Sequence, residues 1–339
     1  MKIGVVGLGY WGPNLVRNFL GTEGVNAVVC CDIQKKKLDR IKQKFPMVEI
    51  TSNLDSLLKR DDIDAVAVVT PVSTHFPVGM KVLKAGKHLL LEKPMTSSVG
   101  EAEQLLEEAS RRNLVLMVDH TFIYTGAVQK IREIIEKGDL GEVLYFDSVR
   151  VNLGLFQHDT NVLWDLAPHD LSIMSYLIDV EPVSVSAIGI NHFNGVEDMA
   201  YLAVRFPRNI IAHFHVNWLS PVKIRRILIG GTKHMVVYDD MEPSEKVKVY
   251  DKGINLTSEE SVYKTLVQYR MGDMYAPQIE QSEALGLLTA EFISCVKSQK
   301  PPTSDGVLGL GVVRILEAAE RSLRAGGGAV NLEKAFSLV

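Results

Sequence analysis

The sequence predicts an α/β protein of two domains, a doubly wound parallel sheet over residues 1–120 and an α+β domain over residues 121–339. Three observations carry this. Short apolar runs alternate with helical segments through the first third of the chain. A glycine cluster at residues 7–12 directly follows the first run. From residue 183 onward short strand-like runs follow one another, separated by tight turns.

The first run is Lys2–Val6. Helical character follows over Pro13–Leu20, then a run at Ala27–Cys31 and a charged helix at Gln34–Lys44. Ala65–Val69, Val78–Lys84, His88–Leu91, Ser98–Arg111 and Leu114–Val118 continue the alternation. Such alternation reads as βαβ units, whose right-handed crossovers cover both faces of a parallel sheet. Beyond residue 120 a helix is expected over Gly126–Lys137. Another is expected over Thr160–Ile178, broken or kinked at Pro168. Strands are expected at Val183–Ile190, Met199–Phe206, Ile210–Trp218, Lys223–Ile229, His234–Tyr238 and Lys246–Tyr250, forming an antiparallel or mixed sheet. Asp251–Pro277 reads as a long loop, and helices at Ser282–Ser298 and Val307–Ala325 close the chain.

Composition bounds the function. The 339 residues are 46% hydrophobic and 23% charged, enough for two cores without a metal or disulfide staple. The net charge of −4 is spread along the chain and argues against nucleic acid as a partner. Cys30, Cys31 and Cys295 lack metal-ligand spacing and suit a reducing compartment. His213 and His215 alternate on one strand face without acid or thiol neighbours, so no metal site is expected. The N-terminus lacks a signal-peptide pattern and no apolar stretch is long enough to span a membrane, so a cytoplasmic location is expected.

Gly7-Leu8-Gly9-Tyr10-Trp11-Gly12 is a G-x-G-x-x-G motif between a strand and a helix, the context of a Rossmann dinucleotide loop. Gly7 serves the turn, Gly9 the approach of a pyrophosphate and Gly12 the packing of helix on strand. Asp32, ending the second strand, suits the ribose hydroxyls and favours NAD over NADP. The run Lys35-Lys36-Lys37 is either a counter-signal for NADP or a solvated helix face. Thr70, Pro71 and His75 follow the Ala65–Val69 strand at its carboxyl end, beside the expected crevice. His75 either faces the cofactor or starts the next helix, with Ser73 and Thr74 as helix initiators. Glu92 and Lys93 end the His88–Leu91 strand in the same way. There the Lys93 ammonium can donate to a substrate oxygen; the alternative is a surface lysine. Asp165 and His169, four residues apart, share one helix face. His169 suits a general base and Asp165 sets its tautomer or contacts substrate; the alternative is a satisfied, partly buried histidine.

Together these motifs resemble the glucose–fructose oxidoreductase, inositol dehydrogenase and MocA family over nearly the whole chain. Glu92-Lys93-Pro94 resembles its lysine motif. Lys137-Gly138-Asp139-Leu140-Gly141-Glu142-Val143 resembles its turn into the first strand of the substrate domain, and Asp165 with His169 its Asp-x-x-x-His pair. The resemblance implies an NAD-linked dehydrogenase in which Lys93 and His169 flank the reacting carbinol, His169 as base and Lys93 polarising the oxygen. It implies a large, open, mostly antiparallel sheet used for homodimer or homotetramer contacts. Pro168 departs from the family's pattern and leaves the role of Asp165 open. Tyr124 either lines the site or is a core aromatic.

For the substrate, Trp218, Lys223 and Arg225 lie in one short segment. Trp218 suits stacking on a sugar or base, and Lys223 with Arg225, alternating onto one strand face, suits a pyrophosphate. This resembles members that oxidise nucleotide sugars such as UDP-N-acetylglucosamine; an exposed sheet edge is the alternative. A free sugar or inositol, a non-catalytic NAD-binding regulator, and a lyase using transient oxidation are the competing functions.

Overall fold

The computed structural model describes residues 1–154, 160–193, 195–251, 253–255, 268–270 and 272–332. Contacts divide the chain into two compact units: Met1–Thr125 with Ser282–Arg314, and Gly126–Gln281 with Ile315–Val339.

The first unit contains β1 (Lys2–Val6), α1 (Gly12–Gly21), β2 (Ala27–Cys31), α2 (Lys35–Lys44), β3 (Glu49–Thr51), α3 (Leu54–Leu58), β4 (Ala65–Val68), α4 (His75–Lys84), β5 (His88–Glu92), α5 (Val99–Arg111) and β6 (Leu116–Asp119). The six strands lie in the order β3-β2-β1-β4-β5-β6, every pair parallel. Strands such as Ala65-Val66-Ala67-Val68 are buried along their whole length. That is why they read as continuous apolar runs rather than alternating ones. The order reverses between β1 and β4, so a crevice opens at the carboxyl ends there.

The second unit opens with α6 (Gly126–Glu136), β7 (Val143–Leu153) and α7 (Val162–Leu177). Six strands follow: β8 (Ser184–Ile190), β9 (Met199–Arg205), β10 (Ile211–Asn217), β11 (Leu219–Gly231), β12 (Met235–Asp239) and β13 (Val247–Tyr250). Then come β14 (Gly253–Asn255), β15 (Gln268–Arg270) and β16 (Met274–Tyr275). The chain ends with α8 (Ala284–Ser298), α9 (Gly306–Arg324) and β17 (Val330–Asn331). Nine strands form one sheet, β16-β13-β12-β11-β7-β10-β9-β8-β17. Its pairs are antiparallel except β7 with β10.

Three sequence expectations change. Residues 282–314 pack with the first unit rather than the second, because α8 lies on α1: Phe292 meets Phe19 at 6.3 Å between ring centroids and Thr289 bonds Thr22 at 2.9 Å. Helix α7 runs through Pro168. Proline's φ is itself helical, the loss is one N–H bond to the Trp164 carbonyl, and burial against the sheet outweighs it. The expected loop over 251–277 carries β14, β15 and β16, while residues 252, 256–267 and 271 lie outside the described residues.

Helix α7 packs on β7, β9 and β10, over a face built from Phe146, Leu202, Val204, Ala212, Phe214 and Val216. On the opposite face Ile188, Ile190, Tyr201 and Ile211 are exposed. Beneath α7 a buried ion pair joins Arg150 of β7 to Asp170: Nε meets Oδ2 at 2.9 Å, and the second guanidinium nitrogen meets Oδ1. Ser148 also donates to Asp170 Oδ2, at 2.8 Å. This pair sets the rotation of α7, and with it the face that carries Asp165 and His169. Asp170→Ala would leave a guanidinium buried without its anion. Chemical denaturation of that variant should register a loss of about 3–5 kcal/mol.

Candidate active site

The first turn of the first unit is set by close backbone contact. Gly7 sits at φ +97°, and a Cβ there would lie 2.5 Å from the Val69 carbonyl oxygen. A Cβ on Gly12 would lie 2.2 Å from the Gly7 carbonyl oxygen. At Gly9 a Cβ would meet nothing within 4 Å. Two glycines therefore close the turn and the third leaves open space in front of it. No side chain caps α1 and Pro13 stands in its first turn, while the Asn14 N–H bonds the Trp11 carbonyl at 2.8 Å; the helix presents the positive end of its dipole at this turn. Tyr10 is exposed on the same loop.

Asp32 holds this loop from the end of β2. Its Oδ2 accepts the Leu8 N–H and its Oδ1 the Gln34 N–H, both at 2.8 Å, with Lys37 Nζ 3.6 Å from Oδ2. Each carboxylate oxygen keeps a second lone pair, so the group can still accept from ribose hydroxyls. Lys37 is thus turned toward Asp32, while Lys35 and Lys36 are solvated.

His75 does not face a cofactor. It is 1% exposed, with Nε2 2.8 Å from the Thr70 carbonyl and Nδ1 2.9 Å from the Pro94 carbonyl. A neutral ring donates to one of them at a time, and burial disfavours the charged ring. The imidazole ties the Thr70-Pro71 turn to the loop carrying Lys93. The expected side-chain caps at Ser73 and Thr74 are absent: the Thr74 hydroxyl lies 2.7 Å from both Thr70 Oγ1 and the Pro71 carbonyl, and donates to the carbonyl while accepting from the Thr70 hydroxyl or donates to Thr70 Oγ1.

Glu92 and Lys93 stand at the carboxyl end of β5, and Glu92 pairs in register with Asp119 at the end of β6. Burial and the neighbouring Asp119 push the Glu92 carboxyl well above the usual carboxylate range. Trp11 Nε1 donates to Asp119 Oδ2 at 2.8 Å, spanning from the glycine loop to β6. Glu92 Oε2 and both ring nitrogens of His120 are buried without a hydrogen-bond partner among the described residues. Orphaned buried polar atoms of this kind, beside an open glycine cradle and an uncapped helix N-terminus, fit a dinucleotide ending in a polar nicotinamide. Tyr124 is a core aromatic rather than a site residue: it is 6% exposed and its hydroxyl lies 3.0 Å from Ser304 Oγ.

In the second unit Asp165 and His169 are partly exposed on a helix whose other residues are mostly buried. Asp165 sits in the first turn of α7, behind the cap that Asn161 makes with the Trp164 N–H. The Asp165 Oδ2 accepts the indole N–H of Trp218 at 2.9 Å. Trp218 is 1% exposed, so it is not a stacking platform; its polar edge orients Asp165 instead. Gly154 lies against that indole, where a Cβ would meet Trp218 Cδ1 at 2.8 Å. Lys223 is exposed. Arg225, on the same face, pairs with Asp240 at 3.2 Å, and Lys246 shares that aspartate. His213 and His215 stack on Tyr201.

Sequence reasoning missed Asp119, His120 and Gly154. Asp119-His120 ends an apolar run just as Asp32 and Glu92 do, and that position was the available signal. Gly154 gave none, because its partner is distant in sequence.

Burial, with Lys93 nearby, holds the His120 imidazole down at about 3. Its folded value lies below its unfolded one, so protonation favours the unfolded chain. Above pH ~6.5 it contributes no slope; below that, stability falls by about 1.4 kcal/mol per pH unit until about pH 3. His120→Gln removes this term. Urea midpoints between about pH 6 and pH 4 should fall less steeply for the variant than for the parent chain.

Residues 1–120 match the family described as an oxidoreductase family with an NAD-binding Rossmann fold, and residues 128–237 match the GFO/IDH/MocA C-terminal domain. The chain is 28% identical over 329 residues to UDP-N-acetylglucosamine 3-dehydrogenase of Acidithiobacillus ferrooxidans, covering 94% of this chain and 95% of that one. A solved structure of that enzyme superposes with a TM-score of 0.82 at 24% identity, over 96% and 98% of the two chains. Myo-inositol 2-dehydrogenase of Thermotoga maritima is 24% identical over 342 residues, covering 95% and 96%. A protein of gentamicin A biosynthesis, solved with NAD, shares the fold with a TM-score of 0.82 at 23% identity, over 98% and 97%. With the glycine cradle and the Glu92-Lys93-Pro94 strand end described above, the chain belongs to the GFO/IDH/MocA family of NAD-binding oxidoreductases.

Proposed function

We propose that the protein is an NAD-dependent dehydrogenase acting on a secondary hydroxyl of a sugar, with a nucleotide sugar as substrate. The observation that carries the reading is Lys93 at the carboxyl end of β5, in the same domain as the open cradle at Gly9. Gly7, Gly9, Tyr10, Trp11 and Gly12 would hold the pyrophosphate side of NAD, and Asp32 the adenosine ribose. Thr70, Pro71, Glu92 and Lys93 would line its nicotinamide side. Bound there, NAD supplies a hydride acceptor. Asp32 favours NAD over NADP because a carboxylate repels a 2′-phosphate, and Lys37 is partly neutralised against it.

The ammonium of Lys93 donates to the reacting oxygen and stabilises its growing negative charge. His169 takes the hydroxyl proton, with a neutral imidazole as the competent form. Asp165, fixed by the Trp218 N–H, orients the imidazole or a neighbouring hydroxyl. A nucleotide sugar is supported by the full-length likeness to a UDP-sugar dehydrogenase and by the exposed Lys223 at the start of β11. The pairing of Arg225 with Asp240 leaves Lys223 as the stronger phosphate ligand of the two. The uncovered face of β8–β10, with Ile188, Tyr201 and Ile211 exposed, supports assembly as a homodimer or homotetramer.

Three experiments test this. Purified protein with NAD is offered UDP-sugars, free hexoses and inositols at mildly alkaline pH with a carbonyl trap, and reduced nicotinamide is read by absorbance. Signal with a UDP-sugar and none with the free sugar supports the reading; signal with free sugars alone removes the nucleotide. Lys93→Ala and His169→Ala should each lower kcat by about a hundredfold or more while NAD still binds. Ile188→Lys, read by light scattering, should shift the assembly toward monomer; an unchanged mass removes that face as the interface.

A further inference from the structure

We propose that Glu92 and Asp119 hold one proton between them and so present a single negative charge beside Lys93, with Trp11 fixing that charge on Asp119. The two side chains end adjacent parallel strands in direct register, and the neighbouring Asp119, with burial, raises the Glu92 carboxyl's hold on a proton. Two carboxyl groups in contact away from water cannot both ionise.

The donors decide which one keeps the charge. Asp119 is 2% exposed, and both of its oxygens accept: Oδ2 from the Trp11 indole N–H at 2.8 Å, Oδ1 from the Thr121 hydroxyl. Such donors favour the ionised form. Glu92 receives the backbone N–H of Lys93, while its Oε2 is buried with no partner among the described residues. That environment suits the neutral acid, which donates its proton to Asp119. Besides Asp119, the charged neighbour acting on Glu92 is Lys93, which also acts on the His120 ring. His120 is held neutral by burial, so Lys93 and the carboxyl pair form the local balance of one positive and one negative charge.

The pair also joins two parts of the domain. Trp11 belongs to the glycine loop and Asp119 to β6, 108 residues apart. Trp11 and Asp119 are positioning residues: they brace the dinucleotide loop against the strand end that carries Lys93. The catalytic consequence rests on the dehydrogenase reading above; the shared proton does not.

The test is infrared spectroscopy of the full-length protein at neutral pH, with NAD affinity measured by titration. The parent chain should show a carboxylic-acid carbonyl stretch that shifts in D2O and is lost in Glu92→Gln. Asp119→Asn removes the charge and the acceptor of Trp11, and NAD affinity should fall by about tenfold or more; Trp11→Phe should move it the same way. Absence of the acid band, or its persistence in Glu92→Gln, overturns the proposal. If the parent oxidises no alcohol, the dehydrogenase reading fails while the infrared band stands.

Discussion

The carboxyl edge of the first unit is organised by how closely its first turn approaches the neighbouring strand end. With no Cβ at Gly7 the chain passes within contact of the Val69 carbonyl, and with none at Gly12 the helix begins against the Gly7 carbonyl. That approach sets the positive end of α1 at the carboxyl edge of the sheet, brings the Leu8 N–H onto Asp32, and lets Trp11 reach Asp119. A side chain at either glycine would have to move backbone rather than a flexible side-chain end, which is the costlier adjustment. The loop, the Asp32 carboxylate and the carboxyl pair at the ends of β5 and β6 are therefore one construction.

The second unit solves a different problem. Its sheet is wide, and α7 covers one face. The helix must be apolar toward the sheet yet present Asp165 and His169 elsewhere, so its rotation has to be fixed by something other than a hydrophobic stripe. Two polar contacts do this: Arg150 grips Asp170 from beneath, and Trp218 grips Asp165 near the helix start. Hydrogen bonds are directional where apolar packing is not. A rotation that broke either would strand a buried charge or a buried indole N–H.

Much of this was legible because parallel strands and glycine turns leave local signals. The Lys2–Val6 run followed by Gly7, Gly9 and Gly12 marks strand, turn and helix without reference to the rest of the chain. The strands from 183 to 250 were readable within one or two residues at most strand ends, since Pro207-Arg208-Asn209 and Gly230-Gly231 punctuate them. What failed was the fate of individual side chains. Trp218 and Tyr124 carry both an apolar ring and a polar atom, and nothing local says whether the polar end meets substrate, Asp165 or Ser304. His75 is the same case, decided by two carbonyls at Thr70 and Pro94. The return of residues 282–314 to the first unit was invisible for a related reason: the apolar face of α8 declares that it packs, and Phe19 alone declares on what.

The contrast between the two aspartates at strand ends shows how position and partner together set chemistry. Asp32 and Asp119 both stand at the carboxyl edge of the same sheet, and both accept a donor from the glycine loop, one from the Leu8 backbone and one from the Trp11 ring. Asp32 has Lys37 nearby and keeps lone pairs for a ligand. Asp119 has Glu92, an acid, as its register neighbour, so its surroundings must supply a proton as well as donors. A carboxylate beside a lysine is ready to receive a hydroxyl. A carboxylate beside a second carboxyl is occupied in holding that proton, and its influence is felt through the charge it leaves beside Lys93. The same residue type thus keeps lone pairs open at one strand end and takes part in charge balance at another, and the difference lies in what stands alongside.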